Sequence, residues 1–132
     1  MSQAHQSPLS DGSTTDDSDL VEVPVSSETV FDGRLLRVQR DLVRLPDGRQ
    51  ATREYARHPG AAVVVPLFDD GRVLIVRQYR YPCRQVFIEF PAGKIDHGEP
   101  PLVTAVRELR EETGWVARRF HRIATLHPTI GY

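Results

Sequence analysis

Cysteine is nearly missing from the chain. Cys83 stands alone, so no disulfide can form within the chain and no CxxC pair exists to hold zinc. Such usage fits a reducing compartment, and the cytoplasm is the expected location. Long apolar runs are missing too. The longest, residues 61–68, is eight residues and is interrupted by Pro66, whereas a membrane-spanning helix needs about 20. The first residues show no basic stretch followed by an apolar one, so neither a secretory signal nor a membrane partner is expected. No basic run occurs, and aromatic and basic residues do not interleave, so nucleic acid is not an expected partner.

Lysine is also scarce: Lys94 is the only one, against 16 arginines. Positive charge is absent from residues 1–33, which hold seven acids. All 17 basic residues and the other 11 acids lie in residues 34–132, a formal charge of +6. An arginine-rich body suits a phosphate-bearing ligand, although coding bias gives the same excess. Residues 1–27 are mostly Ser, Asp, Thr, Gln and Pro, too poor in apolar side chains to offset their chain entropy, and are read as a disordered acidic tail.

Order is expected from about Thr29. Leu35, Val38 and Val43 are spaced among polar residues, Pro46-Asp47-Gly48 signals a turn, and Gln50–Arg57 follows, which makes a hairpin. The pattern predicts strands over Ala61–Phe68, Arg72–Tyr79, Val86–Phe90 and Trp115–Leu126. Only Leu102–Thr113 reads as a helix, with Leu102, Ala105, Val106 and Leu109 as its apolar stripe and Gly114 as a left-handed stop. This reading gives three segments: the tail 1–27, an N-terminal β-sheet over 28–58 and a domain over 59–132.

The helix carries the chemistry. At about 100° per residue, Glu108, Glu111 and Glu112 fall within about 100° of arc. Carboxylates three and four residues apart repel one another, and hard oxygen donors of this kind suit Mg²⁺ or Mn²⁺. Arg107, four residues before Glu111, can brace one carboxylate and leave the others free. A solvated face of Arg–Glu pairs would look the same if the triplet stood alone. It does not stand alone. Gly93, Glu99, Arg107-Glu108-Leu109, Glu111-Glu112 and Gly114-Trp115 match the box G-x5-E-x7-R-E-U-x-E-E-x-G-U in every defined position, with U a bulky apolar residue. Seven fixed letters at about 7% usage each recur by chance on the order of once in 10⁸ start positions.

On this box the chain resembles the Nudix hydrolases. Phe31-Asp32-Gly33-Arg34, Leu45-Pro46-Asp47-Gly48-Arg49, Arg53-Glu54, His58-Pro59-Gly60-Ala61, Arg77-Gln78-Tyr79-Arg80 and Glu89-Phe90-Pro91-Ala92-Gly93 are similar to the ADP-ribose pyrophosphatase branch. The resemblance implies an α+β fold: a Nudix αβα sandwich preceded by a small antiparallel β-sheet that exchanges across a homodimer. It implies Mg²⁺- or Mn²⁺-dependent hydrolysis of a nucleoside diphosphate derivative, with ADP-ribose, cleaved to AMP and ribose 5-phosphate, as the leading substrate. Another nucleotide sugar, a non-catalytic ADP-ribose-binding module and an inactive truncated form are the alternatives. The metal ligands implied are the main-chain carbonyl of Ala92 with Glu108 and Glu112. Glu111 would serve a further metal or the water network, Arg80 a phosphate, Arg53 the substrate of the neighbouring subunit, and Glu89 a supporting role. The resemblance also implies a further half-domain beyond His127-Pro128, with an acidic loop residue acting on the attacking water. The chain ends at Tyr132, so the expectation is a C-terminally truncated form whose helix keeps weak metal binding while hydrolysis is lost. His58, His97, His121, His127 and Cys83 are read as surface or structural residues.

Overall fold

The computed structural model describes residues 16–131. They form two compact units, the first ending at Ala56 and the second running Arg57–Gly131. The sequence predicts this border at 58/59; the structure places it at 56/57.

The first unit is a three-stranded sheet in the order β1-β2-β3, with β1 at Val23–Asp32, β2 at Arg37–Arg44 and β3 at Gln50–Arg57. β1 and β2 pair antiparallel from Val23 opposite Arg44 to Asp32 opposite Arg37. The register shifts between Pro24 and Ser26, where proline has no N–H to give the ladder. The expected tail therefore needs correcting: residues 23–27 are strand. Their side chains are exposed, and backbone pairing rather than apolar burial orders them. Residues 1–15 lie outside the described part. The β2–β3 turn forms as expected, with the Gly48 amide donating to the Leu45 carbonyl at 2.9 Å and Gly48 at φ 86°.

One face of this sheet centres on Gln39 and Val43, both buried. The Gln39 amide donates to Thr29 Oγ1 at 2.8 Å, and the Tyr55 hydroxyl donates to Asp41 Oδ2 at 3.0 Å. On the other face Arg40 bridges Glu28 and Glu54 across all three strands at 3.2 and 2.8 Å. Polar pairs thus hold both faces around Val43, the one buried apolar side chain among this unit's described residues, and Leu35 is exposed.

The second unit holds two two-stranded ladders and one α-helix. β4 (Ala61–Val63) pairs with β7 (Ala92–Lys94), and β5 (Val76–Arg80) pairs with β6 (Gln85–Glu89), both antiparallel. The expected strand Ala61–Phe68 is cut short. Pro66 cannot donate to a ladder, and past it only the Leu67–Val73 bridge remains, closed by a tight turn at Gly71. Trp115–Leu126, expected to be a strand, is not one. A strand exists only where a partner accepts its backbone hydrogen bonds, and among the described residues this segment has no strand partner. Trp115 instead sets its ring edge-on to Phe68 at 5.2 Å.

α1 runs Pro101–Thr113. Gly114 ends it as predicted, at φ 76°, with its N–H on the Arg110 carbonyl at 2.9 Å. The buried face differs from the predicted stripe. Leu109 and Thr104 are fully buried, whereas Leu102 and Val106 are exposed. The helix packs against β4 and β7 through the row 104, 105, 108, 109 and 112, because Gly93 on β7 leaves room there for the Glu108 side chain.

Candidate metal and diphosphate site

The site grows from the junction of β7, the loop after it and α1. Pro91 O accepts from the Val64 N–H, and Gly60 O accepts from the Ile95 N–H. In an antiparallel ladder with this register, Ala92 opposite Val63 takes a non-hydrogen-bonded position. Its own N–H and C=O therefore turn away from β4. That N–H meets the helix: it donates to Glu112 Oε2 at 3.1 Å.

Glu108, one turn earlier, lies over Gly93. A Cβ built on Gly93 would stand 1.8 Å from the Glu108 carboxyl carbon. Glycine is thus required by close approach, not by a turn. Two carboxylates four residues apart converge on the adjacent residues Ala92 and Gly93.

Arg107 organises the other side. Its Nε and Nη2 donate to Glu99 Oε1 and Oε2 at 3.2 and 3.0 Å, a fork on a carboxylate. Its Nη1 donates to Glu108 Oε1 at 2.6 Å and reaches Glu111 Oε2 at 3.4 Å. Glu99 and Glu108 are each 14% exposed at the side chain, and Glu111 is 60% exposed. Glu99 takes two further donors, Thr104 Oγ1 at 2.7 Å and the Asp96 N–H at 3.3 Å. The Arg107 guanidinium, then the Thr104 hydroxyl, hold the Glu99 carboxyl down at about 2. Reciprocally, Glu99 and then Glu108 push Arg107 upward.

On the β5–β6 hairpin, Arg80 forks onto Glu89 with bonds of 2.9 and 2.5 Å. Glu89 raises Arg80, with a smaller push from the charge of Glu112, and Arg80 in turn lowers Glu89. Arg80 is thus within electrostatic reach of Glu112. Arg53 belongs to the first unit, where its guanidinium forks onto Glu22.

The second unit therefore brings together Ala92, Arg107, Glu108 and Glu112, with Glu111 on the exposed flank. All available ligands here are hard oxygens, the type that suits a divalent cation. Among the described residues no three acidic, His or Cys side chains form a metal-holding group; the donors that converge are two carboxylates and a main-chain edge. Sequence reasoning missed Thr104, Asp96 and Glu22. Thr104 left a readable signal, a hydroxyl among Leu102, Val103, Ala105 and Val106 five residues after Glu99. Glu22 left none, because its pairing with Arg53 depends on the sheet.

Comparison with known proteins agrees with this geometry. Residues 57–132 match the NUDIX domain, and residues 23–56 match the nucleoside diphosphate sugar hydrolase N-terminal domain. The two matches meet at the border between the two units. The chain is 37% identical over 113 residues to an ADP-ribose pyrophosphatase of Bacillus subtilis (strain 168), covering 86% of this chain and 61% of that protein. It is 41% identical over 109 residues to an ADP-ribose pyrophosphatase of Mycobacterium tuberculosis (strain ATCC 25618 / H37Rv), covering 82% and 53%. A crystal structure of an ADP compounds hydrolase superposes with a TM-score of 0.65 at 30% identity, covering 74% of this chain and 54% of that one. The chain thus spans between half and two thirds of the length of these relatives. With the box running from β7 through the loop into α1, its glycine under Glu108 and a match over more than half of its residues, the chain belongs to the Nudix family.

Proposed function

We propose that the protein hydrolyses the diphosphate bond of a nucleoside diphosphate derivative, with ADP-ribose, split to AMP and ribose 5-phosphate, as its substrate. The observation that carries this reading is the convergence of Glu108 and Glu112 on Ala92 and Gly93. In it, Glu108, Glu112 and the Ala92 carbonyl hold Mg²⁺ or Mn²⁺. A bound divalent cation would neutralise diphosphate oxygens and make a bound water more acidic. The chain's own residues do the rest. Arg107 holds Glu108 in place and leaves Glu112 to the Ala92 N–H on β7. Glu111, exposed beside them and met by Arg107 at 3.4 Å, serves a further cation or orders water. Arg80 exchanges Glu89 for a phosphate oxygen, which an arginine fork matches well. Arg53 exchanges Glu22 for the substrate of a second subunit in a homodimer.

Among the described residues no helix is long and apolar enough to cross a membrane, and we place the protein in the cytoplasm on its cysteine usage. Two similar proteins are named ADP-ribose pyrophosphatases, which favours ADP-ribose over other nucleotide sugars.

The test is Mg²⁺-dependent hydrolysis of ADP-ribose by a form extended to the length of its relatives, read as AMP and ribose 5-phosphate in equal amounts, with Glu112→Gln beside that parent. The expected result is turnover in the parent and none in the variant, with the variant's Tm unchanged or slightly raised by relief of like-charge repulsion. Equal hydrolysis by both proteins overturns the assignment of Glu112. Binding of ADP-ribose without cleavage overturns the enzyme reading in favour of a binding module.

A further inference from the structure

We infer that Thr104 is a positioning residue for the metal site: its buried hydroxyl fixes Glu99, which fixes Arg107, which holds Glu108 over Gly93. This rests on the reading of Glu108 and Glu112 as metal ligands. The geometry is a chain of short contacts. Thr104 Oγ1 to Glu99 Oε2 is 2.7 Å, Glu99 Oε2 to Arg107 Nη2 is 3.0 Å, and Arg107 Nη1 to Glu108 Oε1 is 2.6 Å.

Thr104 is the anchor of this chain because of where it sits. It has no exposed surface, while Glu99 and Arg107 are both partly open to water. Glu99 Oε2 receives three donors, the Asp96 N–H from the loop, the Arg107 guanidinium from the helix flank and the Thr104 hydroxyl from the helix interior. Only the last comes from a residue with no exposed surface. A threonine within a helix commonly returns its hydroxyl to a carbonyl of its own helix, three or four residues back. Here the hydroxyl leaves the helix and spends its bond on the loop. Without it the carboxylate keeps only partners that water can replace. The fork on Arg107 then loosens, and Nη1 no longer fixes the Glu108 oxygen. Outer partners of metal ligands act in this way, and their removal typically costs about 10–100-fold in metal affinity.

The experiment uses the full chain and Mn²⁺ alone, with affinity measured from the paramagnetic resonance signal of free Mn²⁺. Thr104→Val keeps the branched shape and deletes the hydroxyl. Acting through Glu99 and Arg107 and not on a ligand directly, its loss is expected to weaken Mn²⁺ binding by up to about 10-fold, the low end of the range for direct partners, and Thr104→Ser is expected to restore most of it. In the metal-free chain, amide exchange at Asp96 is expected to quicken in the Val variant and return toward the parent rate in the Ser variant. If Val disturbs folding, Thr104→Ala against Thr104→Ser gives the same contrast.

Equal Mn²⁺ affinity in parent and Val variant overturns the inference. So does equal weakening in Val and Ser, which would show that the site responds to any change of packing at position 104 and not to loss of the hydroxyl. Glu112→Gln separates the two levels of the argument. If it weakens Mn²⁺ binding while Thr104→Val does not, only the role of Thr104 fails. If the parent and Glu112→Gln bind Mn²⁺ equally, the metal-site reading fails and the role of Thr104 with it.

Discussion

The two units use the same kind of bond to different ends. In the first, Arg40 spans Glu28 and Glu54, and Arg37 meets Asp32, with side chains roughly half exposed. These pairs tie strands that are already joined by their backbones, and exposed pairs of this kind contribute little to stability. In the second, Arg107 gathers Glu99 and Glu108 at one junction where both carboxylates are mostly covered. Together with the Thr104 hydroxyl it joins the loop after β7 to α1, two segments that no strand ladder ties together. The same arginine–carboxylate chemistry is therefore decoration on one sheet and architecture beside one helix. The difference lies in burial, in shared partners and in whether the backbone already does the job.

The comparison extends to apolar packing, where the largest stability effect is expected. Leu109 is 1% exposed at the seat of α1, and Val43 is 7% exposed on a sheet face made mostly of polar residues. Leu109→Ala is expected to cost about 2–5 kcal/mol. Val43→Ala is expected to cost about 1–2 kcal/mol, from two methyl groups at about 0.8 kcal/mol each. Chemical denaturation of both variants decides it. Equal losses would show that the first sheet has an apolar core as important as the second unit's.

A smaller effect is expected in acid. The Glu99 carboxyl is held at about 2, below its ordinary 4.5, chiefly by Arg107. A carboxyl lowered in the folded state stabilises it fully above about 4.5, and that stabilisation is lost as pH falls toward about 2. Trp115, the only tryptophan, lies in the second unit and reports on it by fluorescence. The parent is expected to lose stability through this window more steeply than Glu99→Gln, and the gap between them is expected to narrow toward its acid end. Parallel acid curves would show that the Glu99–Arg107 fork contributes no more than the exposed pairs of the first sheet.

What could be read from the sequence follows the same division. The helix and its stop at Gly114 are legible because they depend on spacing within one short segment. The turn at Gly48 is legible because it is local chemistry. The start of β1 at Val23 is not, since its exposed, serine-rich strand is ordered only by its pairing with β2. The buried face of α1 is not legible from apolar period alone. A glycine on another element decides which side seats, and Leu102 and Val106 end up outside. Trp115–Leu126 has the composition of a strand, but composition does not supply a partner.

The central claim is that Glu108 and Glu112, turned onto Ala92 and Gly93, form the metal site, with Glu111 on its open flank. The most direct measurement is Mn²⁺ affinity in the parent and in Glu108→Gln, Glu112→Gln and Glu111→Gln. The account predicts a large loss for Glu108→Gln and Glu112→Gln and the smallest loss for Glu111→Gln. A loss at Glu111→Gln that equals or exceeds the other two, or no loss in any variant, would contradict it.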